Sequence, residues 1–256
     1  MSKKSEKSLK SANQPKLITF VVVNLVLAGI SLAGHQTVIS LLRDGAKGDW
    51  ALLARVVGVP AVGTLAVGLL GWLIPREWKE VLVFWRLGPA RLPSSEAFTK
   101  IAPADPRIDM HQLSTHLGSV PTDGAQQNTV WYSVYRKHSK EAAVNDANSA
   151  YLLYRDMTAI VPFLIVASML AAGMMGVNLA RTLELAFAIC VEFLLLAIAA
   201  RNAGRRLVAN VLAIESARST KPLEQPAAGT LATPKPRSRK KASKAEVGPS
   251  DGQSTT

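Results

Sequence analysis

The chain has 256 residues, 48% of them hydrophobic and 19% charged, with a mean hydropathy of +0.17, more apolar content than one soluble core of this size takes up. One cysteine excludes an intramolecular disulfide framework, and four histidines leave little for metal sites. The 30 Lys and Arg against 18 Asp and Glu give a net charge of +12, which in a chain rich in apolar runs points to cytoplasmic loops and anionic lipid rather than to nucleic acid.

Residues 1–16 carry five lysines and read as a basic cytoplasmic N-terminus. Residues 17–42 then contain no Asp, Glu, Lys or Arg, a longer run than the roughly 20 residues that cross a 30 Å hydrocarbon layer. Ser31-Leu32-Ala33 would suit a signal-peptide cleavage site. The run, however, exceeds an h-region of about 7 to 15 residues, and cleavage would place the ten basic residues of 75–157 outside. Residues 51–74 form a second span, with Arg55 close enough to its end to reach the headgroups and Pro60 tolerated within the bilayer. Residues 158–177 and 183–200 form a second pair, the last interrupted by Glu184 and Glu192.

Four spans place the basic residues unevenly. Five precede residue 17, ten lie in 75–157 and eleven follow residue 200, against two in 43–50 and one in 178–182. The positive-inside rule therefore puts both termini and the 75–157 insert in the cytoplasm, and the low cysteine content and short outer turns suit the inner membrane of a bacterium.

Within the insert, Pro75 precedes a helix over Arg76–Leu87 whose Trp78, Phe84 and Trp85 suit the headgroup level, and Gly88-Pro89 ends it. Asp105-Pro106 reads as an N-cap with proline at the first helical position. Met110, Leu113 and Leu117 follow at helical spacing, and Gly118 stops the helix. Thr122 or Asp123 caps a further helix whose Trp131, Val134, Tyr135 and His138 form one stripe that wants a partner surface, so Trp131, Val134 and Tyr135 are candidates for binding a cytosolic protein. A fourth helix begins near Glu141 and has no breaker before the third span. It therefore protrudes from the membrane, and the insert is a small helical subdomain packed on it.

Beyond the last span, 201–219 reads as an amphipathic helix at the inner surface, with Arg201, Arg205 and Arg206 at the membrane edge. Residues 220–256 are too poor in apolar residues to repay ordering, and the run containing Arg239, Lys240 and Lys241 makes them a polybasic tail suited to anionic lipid. No aromatic residues interleave there, which argues against nucleic acid.

The fold expected is thus all-α and integral to the membrane, with four transmembrane helices, a helical cytoplasmic insert and a disordered basic tail. Phosphate loops, dinucleotide fingerprints, HExxH and paired CxxC motifs are missing from the sequence, so no catalytic residue, metal ligand or cofactor is assigned and an enzyme is not expected. Cys190 reads as inert packing. Polar groups inside spans carry more signal, because a central charge costs upward of about 2.5 kcal/mol. Glu192 falls near mid-depth, Asn24 in the inner half of the first span, and Glu184, His35 and Arg55 nearer the outer edge. They either line a water or ion path, with Glu192 as its selectivity or gating carboxylate, or join helices, with Glu192 hydrogen-bonded to Asn24 or to a backbone carbonyl. Gly29 and Ala33, and Ser168, Ala172 and Gly176, recur every fourth residue as helix-contact faces, within one chain or in a homo-oligomer. Two functions remain: an oligomeric effector or channel-like protein that perturbs the membrane when its insert receives a signal, or a non-conducting anchor whose insert recruits a cytosolic partner.

Overall fold

In a computed structural model of the chain, the described residues are 2–34, 39, 43, 73–88 and 90–219. Most of the expected second span, with Arg55, lies outside them, as do His35 and the tail with Arg239, Lys240 and Lys241. The described residues are all-helical, without strands. The principal helices are α1 (Ser2–Ala33), α2 (Arg76–Phe84), α3 (Met110–Leu117), α4 (Gly124–His138), α5 (Ala142–Met174) and α6 (Leu179–Ser219). Between α2 and α3 the chain makes a 3₁₀ turn at Pro93–Glu96, a π turn at Ala97–Ile101 and a short α turn at Ala102–Ala104.

Three stretches are long and apolar enough to cross a membrane: Ser11–Ala33, Ala142–Met174 and Leu179–Arg218. At 1.5 Å per residue, the 33 residues of α5 run about 50 Å and the 41 of α6 about 60 Å, so each exceeds one bilayer. They form an antiparallel hairpin closed by a tight turn. Gly176, at φ 64, donates its N–H to Gly173, Val177 donates to the Ala172 carbonyl, and the Asn178 side chain accepts from the Arg181 N–H to start α6. Gly176 is thus the left-handed residue that ends α5, where sequence spacing suggested a packing position; Ala172 and Ser168, about one and two turns earlier, are buried.

The first helix departs from expectation at both ends. It begins at Ser2 and breaks at Gly34, at φ 82, so 17–42 is not one uninterrupted helix. A Cβ on Gly34 would sit 3.3 Å from the Arg181 guanidinium, so the break abuts the start of α6. Val21 and Leu25 pack against Ile160 and Leu164 of α5, while Leu9 reaches Tyr151, Leu152 and Ala203. Asn13 donates to the Ser149 carbonyl at 2.8 Å and accepts from its hydroxyl at 3.1 Å.

The hairpin divides by what covers it. Exposed large apolar side chains run along α6 from Leu179 to Ile198, along α1 from Ile18 to Ile30 and along the end of α5 from Val166 to Met174. That stretch of α6 spans about 30 Å, the thickness of a hydrocarbon layer. Past Ile198 the same helix carries Leu207, Val208, Val211 and Leu212, all buried in one cluster with Phe98, Ala102, Leu113, Trp131, Val134, Val144 and Ala147. Residues 201–219 are therefore the central element of a helical head and not a helix lying on the membrane. A stripe at i, i+1, i+4 and i+5 looks the same whether lipid or protein covers it. Each such side chain, once buried, contributes about 1.5–3 kcal/mol.

Of two caps, the first differs from expectation and the second agrees with it. Asp105-Pro106 belongs to a turn, and Asp109 is the N-cap of α3, accepting from the His111 and Gln112 N–H groups; Gly118, at φ 77, ends that helix. Asp123 caps α4 by accepting from Gln126.

Leu212→Ala should destabilise the purified protein by about 2–5 kcal/mol, seen as a lower thermal midpoint and faster proteolysis within 90–140. Leu195→Ala, on the exposed apolar face, should move neither; equal effects from the two would refute the head assignment.

Candidate functional site

Three groups of polar side chains hold the structure together at successive levels. The first fastens α2. Glu80 is 2% exposed and sits between Arg76 at 2.6 Å and Arg91 at 2.9 Å, while Lys79 pairs with Asp156 at 3.2 Å and Arg155 with the same carboxylate at 2.9 Å. A buried carboxylate is tolerated only when its partners replace lost hydration, and two guanidinium groups do so here. The Arg201 guanidinium is likewise taken up by protein. It donates to the Val83 carbonyl and lies 3.8 Å from the centre of the Trp85 ring.

The second group lies inside the head. Glu215, 17 positions past the last exposed apolar residue of α6, is buried against α4, where His138 Nε2 donates to one oxygen and Lys137 Nζ lies 3.2 Å from the other. His116 of α3 approaches the same oxygen at 3.2 Å. Burial alone would raise the Glu215 carboxyl. The hydrogen bonds from His138 and Lys137, with their charges, outweigh it and hold Glu215 below the usual value of 4.5. His138 is fully buried, so the stripe Trp131, Val134 and His138 is the inner face of the head, closed on α6. Trp131 and Val134 are therefore core residues and not a free partner-binding surface. Tyr135 is half-buried, stacked on Trp131 with ring centres 5.3 Å apart and accepting from Asn148.

The third group lies between the apolar helices. Asn24 of α1 donates to Glu192 Oε1 of α6 at 3.1 Å and also reaches the Phe20 carbonyl at 3.1 Å. Both residues are half-buried, and Glu184 is exposed. Gly29 and Ala33 are half-buried on α1. The Ser168 hydroxyl is buried without a hydrogen-bond partner. Cys190 is exposed on the apolar face of α6, not packed inside. Arg205 and Arg206 are exposed just beyond that face.

One feature had no legible signal in the sequence. A crevice of about 660 Å³ opens where the head meets the hairpin, lined by residues from α1, α2, the 3₁₀ turn, α4, α5 and α6. Its basic side chains, Arg76, Lys79, Arg136, Lys140 and Arg155, are spread over 80 positions: Arg76 and Lys79 stand at i, i+3 on α2, Arg136 is near the end of α4, Lys140 is in the turn after it, and Arg155 is on α5. Gly204 lies at its floor, where a Cβ would come within 3.4 Å of both Pro93 and Tyr151. Among the described residues no group of three or more His, Cys, Asp or Glu is placed to hold a metal ion.

No protein-family model matches the chain, and no solved structure matches it. Among curated proteins it is 33% identical over 69 residues to NADH-quinone oxidoreductase subunit N 2 of Roseiflexus castenholzii (strain DSM 13941 / HLO8). That stretch is 27% of this chain and 14% of that protein, so the likeness is local. Together with the three long apolar helices, it points to a membrane protein.

The Glu215 cluster gives a signed pH dependence. A carboxyl held below its unfolded value stabilises the fold above that value, near 4.5, and loses the contribution as pH falls through the folded one. Glu215→Gln should lower the unfolding midpoint at pH 7, by about 2–4 kcal/mol for a buried carboxylate with two cationic partners. The gap to wild type should narrow steadily below pH 4.5. A gap that stays constant down to pH 3 would show that the carboxylate charge plays no part.

Proposed function

We propose that the chain is a multi-pass protein of a bacterial inner membrane. It crosses four times with both termini inside and acts as a non-enzymatic anchor and receiver that presents its helical head to the cytosol. The continuity of α5 and α6 supports this reading. The helices whose outer halves carry the exposed apolar belt are the ones whose inner halves form the centre of the head, each one continuous helix, with Pro162 inside α5. Whatever the head binds therefore acts directly on the membrane hairpin. The charge asymmetry sets the orientation: ten basic residues in 75–157 and eleven after residue 200 oppose three in the outer turns. The polybasic tail then lies beside anionic lipid.

The exposed Glu184 and half-buried Glu192 favour a second reading. Carboxylates on a lipid-facing surface would be covered if copies of the chain assembled, and an oligomer lined by them would pass ions or perturb the membrane. The Asn24 contact favours the anchor, because it spends one Glu192 oxygen on joining α1 to α6.

Two measurements separate these possibilities. A reporter active only outside the cytosol, fused after residue 120, should stay silent, and activity there would overturn the orientation. For Glu192, the isosteric Glu192→Gln keeps an acceptor for Asn24 and should leave the melting midpoint and membrane leak at wild-type level. Glu192→Leu should lower the midpoint by about 1–2 kcal/mol without changing leak. A leak abolished by Glu192→Gln in a protein of unchanged midpoint would establish the channel-like reading instead.

A further inference from the structure

We propose that the crevice between head and hairpin is a binding site for a phosphate-bearing anion, entered at the level of the lipid headgroups. The location in the cytosol rests on the orientation above; the chemistry rests on the crevice alone. Among the described residues, five cations line it and no carboxylate does. The carboxylates of Glu80 and Asp156, bound to three of these cations, offset part of that charge. Arg136 and Lys140, one turn apart on the rim, are exposed, and their side chains make no hydrogen bond or ion pair among the described residues. The Trp131 Nε1–H is buried in a residue only 7% exposed and has no hydrogen-bond partner among the described residues. Native interiors rarely leave such a group unmet, so its place in the wall of the crevice asks for an acceptor-rich occupant. A phosphate group combines negative charge with acceptor oxygens that suit arginine forks and point-charge lysines.

Size and position narrow the occupant further. About 660 Å³ is far more than one inorganic ion fills and matches sites for molecules of nucleotide or lipid-headgroup bulk. Trp131, Tyr135 and Tyr132, stacked with ring centres 5.3 and 5.9 Å apart, supply an aromatic wall for the part that is not phosphate. The floor residue Gly204 lies six positions past Ile198, the end of the exposed apolar belt on α6, hence about 9 Å along the axis. At that depth a phospholipid headgroup and a soluble phosphorylated metabolite both have access, and the experiment must tell them apart.

Three variants of the full chain serve the test. Arg136→Glu/Lys140→Glu reverses the rim, Trp131→Phe removes the indole N–H together with its five-membered ring, and Arg205→Glu/Arg206→Glu makes the same charge change on α6 at residues that do not line the crevice. The tail remains in every protein, so its own affinity for anions cancels. In the soluble arm, the chain in neutral phosphatidylcholine nanodiscs is titrated with inorganic pyrophosphate and with ATP. In the lipid arm, native mass spectrometry compares retention of cardiolipin with that of phosphatidylcholine.

Affinity or retention should fall at least about tenfold in the rim variant and measurably in Trp131→Phe, with the Arg205/Arg206 control near wild type and unliganded melting midpoints unchanged. A response in the soluble arm identifies a free phosphate compound, and one in the lipid arm alone identifies a headgroup; either supports the site. Absence of binding in both arms, or equal loss in the control, overturns it. If the rim variant fails to fold, Trp131→Phe decides by the same criterion. Binding that persists in vitro while a reporter after residue 120 is active outside would sink the orientation and leave the site standing.

Discussion

Everything in this chain depends on one constraint: α5 and α6 are each longer than a bilayer is thick, so a single rigid pair of helices must be stable in two solvents. At the closed end of the hairpin the outward side chains are large and apolar, among them Phe187, Leu195 and Met174, and the other described residues leave them exposed. At the open end, the same helical period carries Leu207, Val211 and Leu212 into a protein core with Phe98, Leu113 and Val134. The change takes place between Ile198 and Ala203, within about one and a half turns of α6. Arg201 sits there, its guanidinium held by the Val83 carbonyl and the Trp85 ring. A charged group at that depth has headgroups on one side and protein on the other, which is where amphipathic side chains are least costly.

The head is small for a free-standing fold, and its construction reflects that. The segment 75–138 contributes short helices and irregular turns, none long enough to be stable alone. It becomes a core only against α5 and α6, and three ionic contacts fix it at separate points. Glu80 locks α2 to Arg91, Lys79 joins α2 to α5 through Asp156, and Glu215 joins α6 to α4 through His138 and Lys137. Ion pairs of this kind contribute little net stability compared with an apolar replacement. They are costly to break singly, however, and they therefore specify which of several similar apolar surfaces meet.

The sequence disclosed elements better than it disclosed their partners. The protruding helix near Glu141 follows from an unbroken period, and the end at Gly118 is marked by a glycine adopting positive φ, whereas Gly176, which looked like a packing position, ends α5 in the same way. Asp123 at the start of α4 was legible as a cap for the same local reason. What a helix face touches is not local. Trp131 and Val134 look like an unpartnered stripe because the residues that cover them lie about 80 positions later, on a helix whose composition suits a membrane surface equally well. Asn24 and Glu192, 168 positions apart, were each recognisable as costly in hydrocarbon, which made their pairing one of two readings open to the sequence, and the crossing of α1 over α6 brings it about. The crevice was hidden most fully, because its five cations come from three helices and the turn after α4 and share no motif.

The same physics bears on what the buried polar groups do. A carboxylate that has to select or gate ions must exchange partners with water, which requires that its own hydrogen bonds be weak or few. Glu192 instead accepts from an amide already tied to the Phe20 carbonyl of its own helix, an arrangement that fixes the rotation of α1 against α6. Asn13 does the same about 16 Å further along the axis, bonding twice to Ser149. Two asparagines eleven residues apart, about three turns along one face of α1, thus clamp it to both helices of the hairpin. With α1 fixed at both levels and α2 held by Glu80 and Asp156, the crevice between them has rigid walls, so an occupant there would report directly on the geometry of the membrane hairpin.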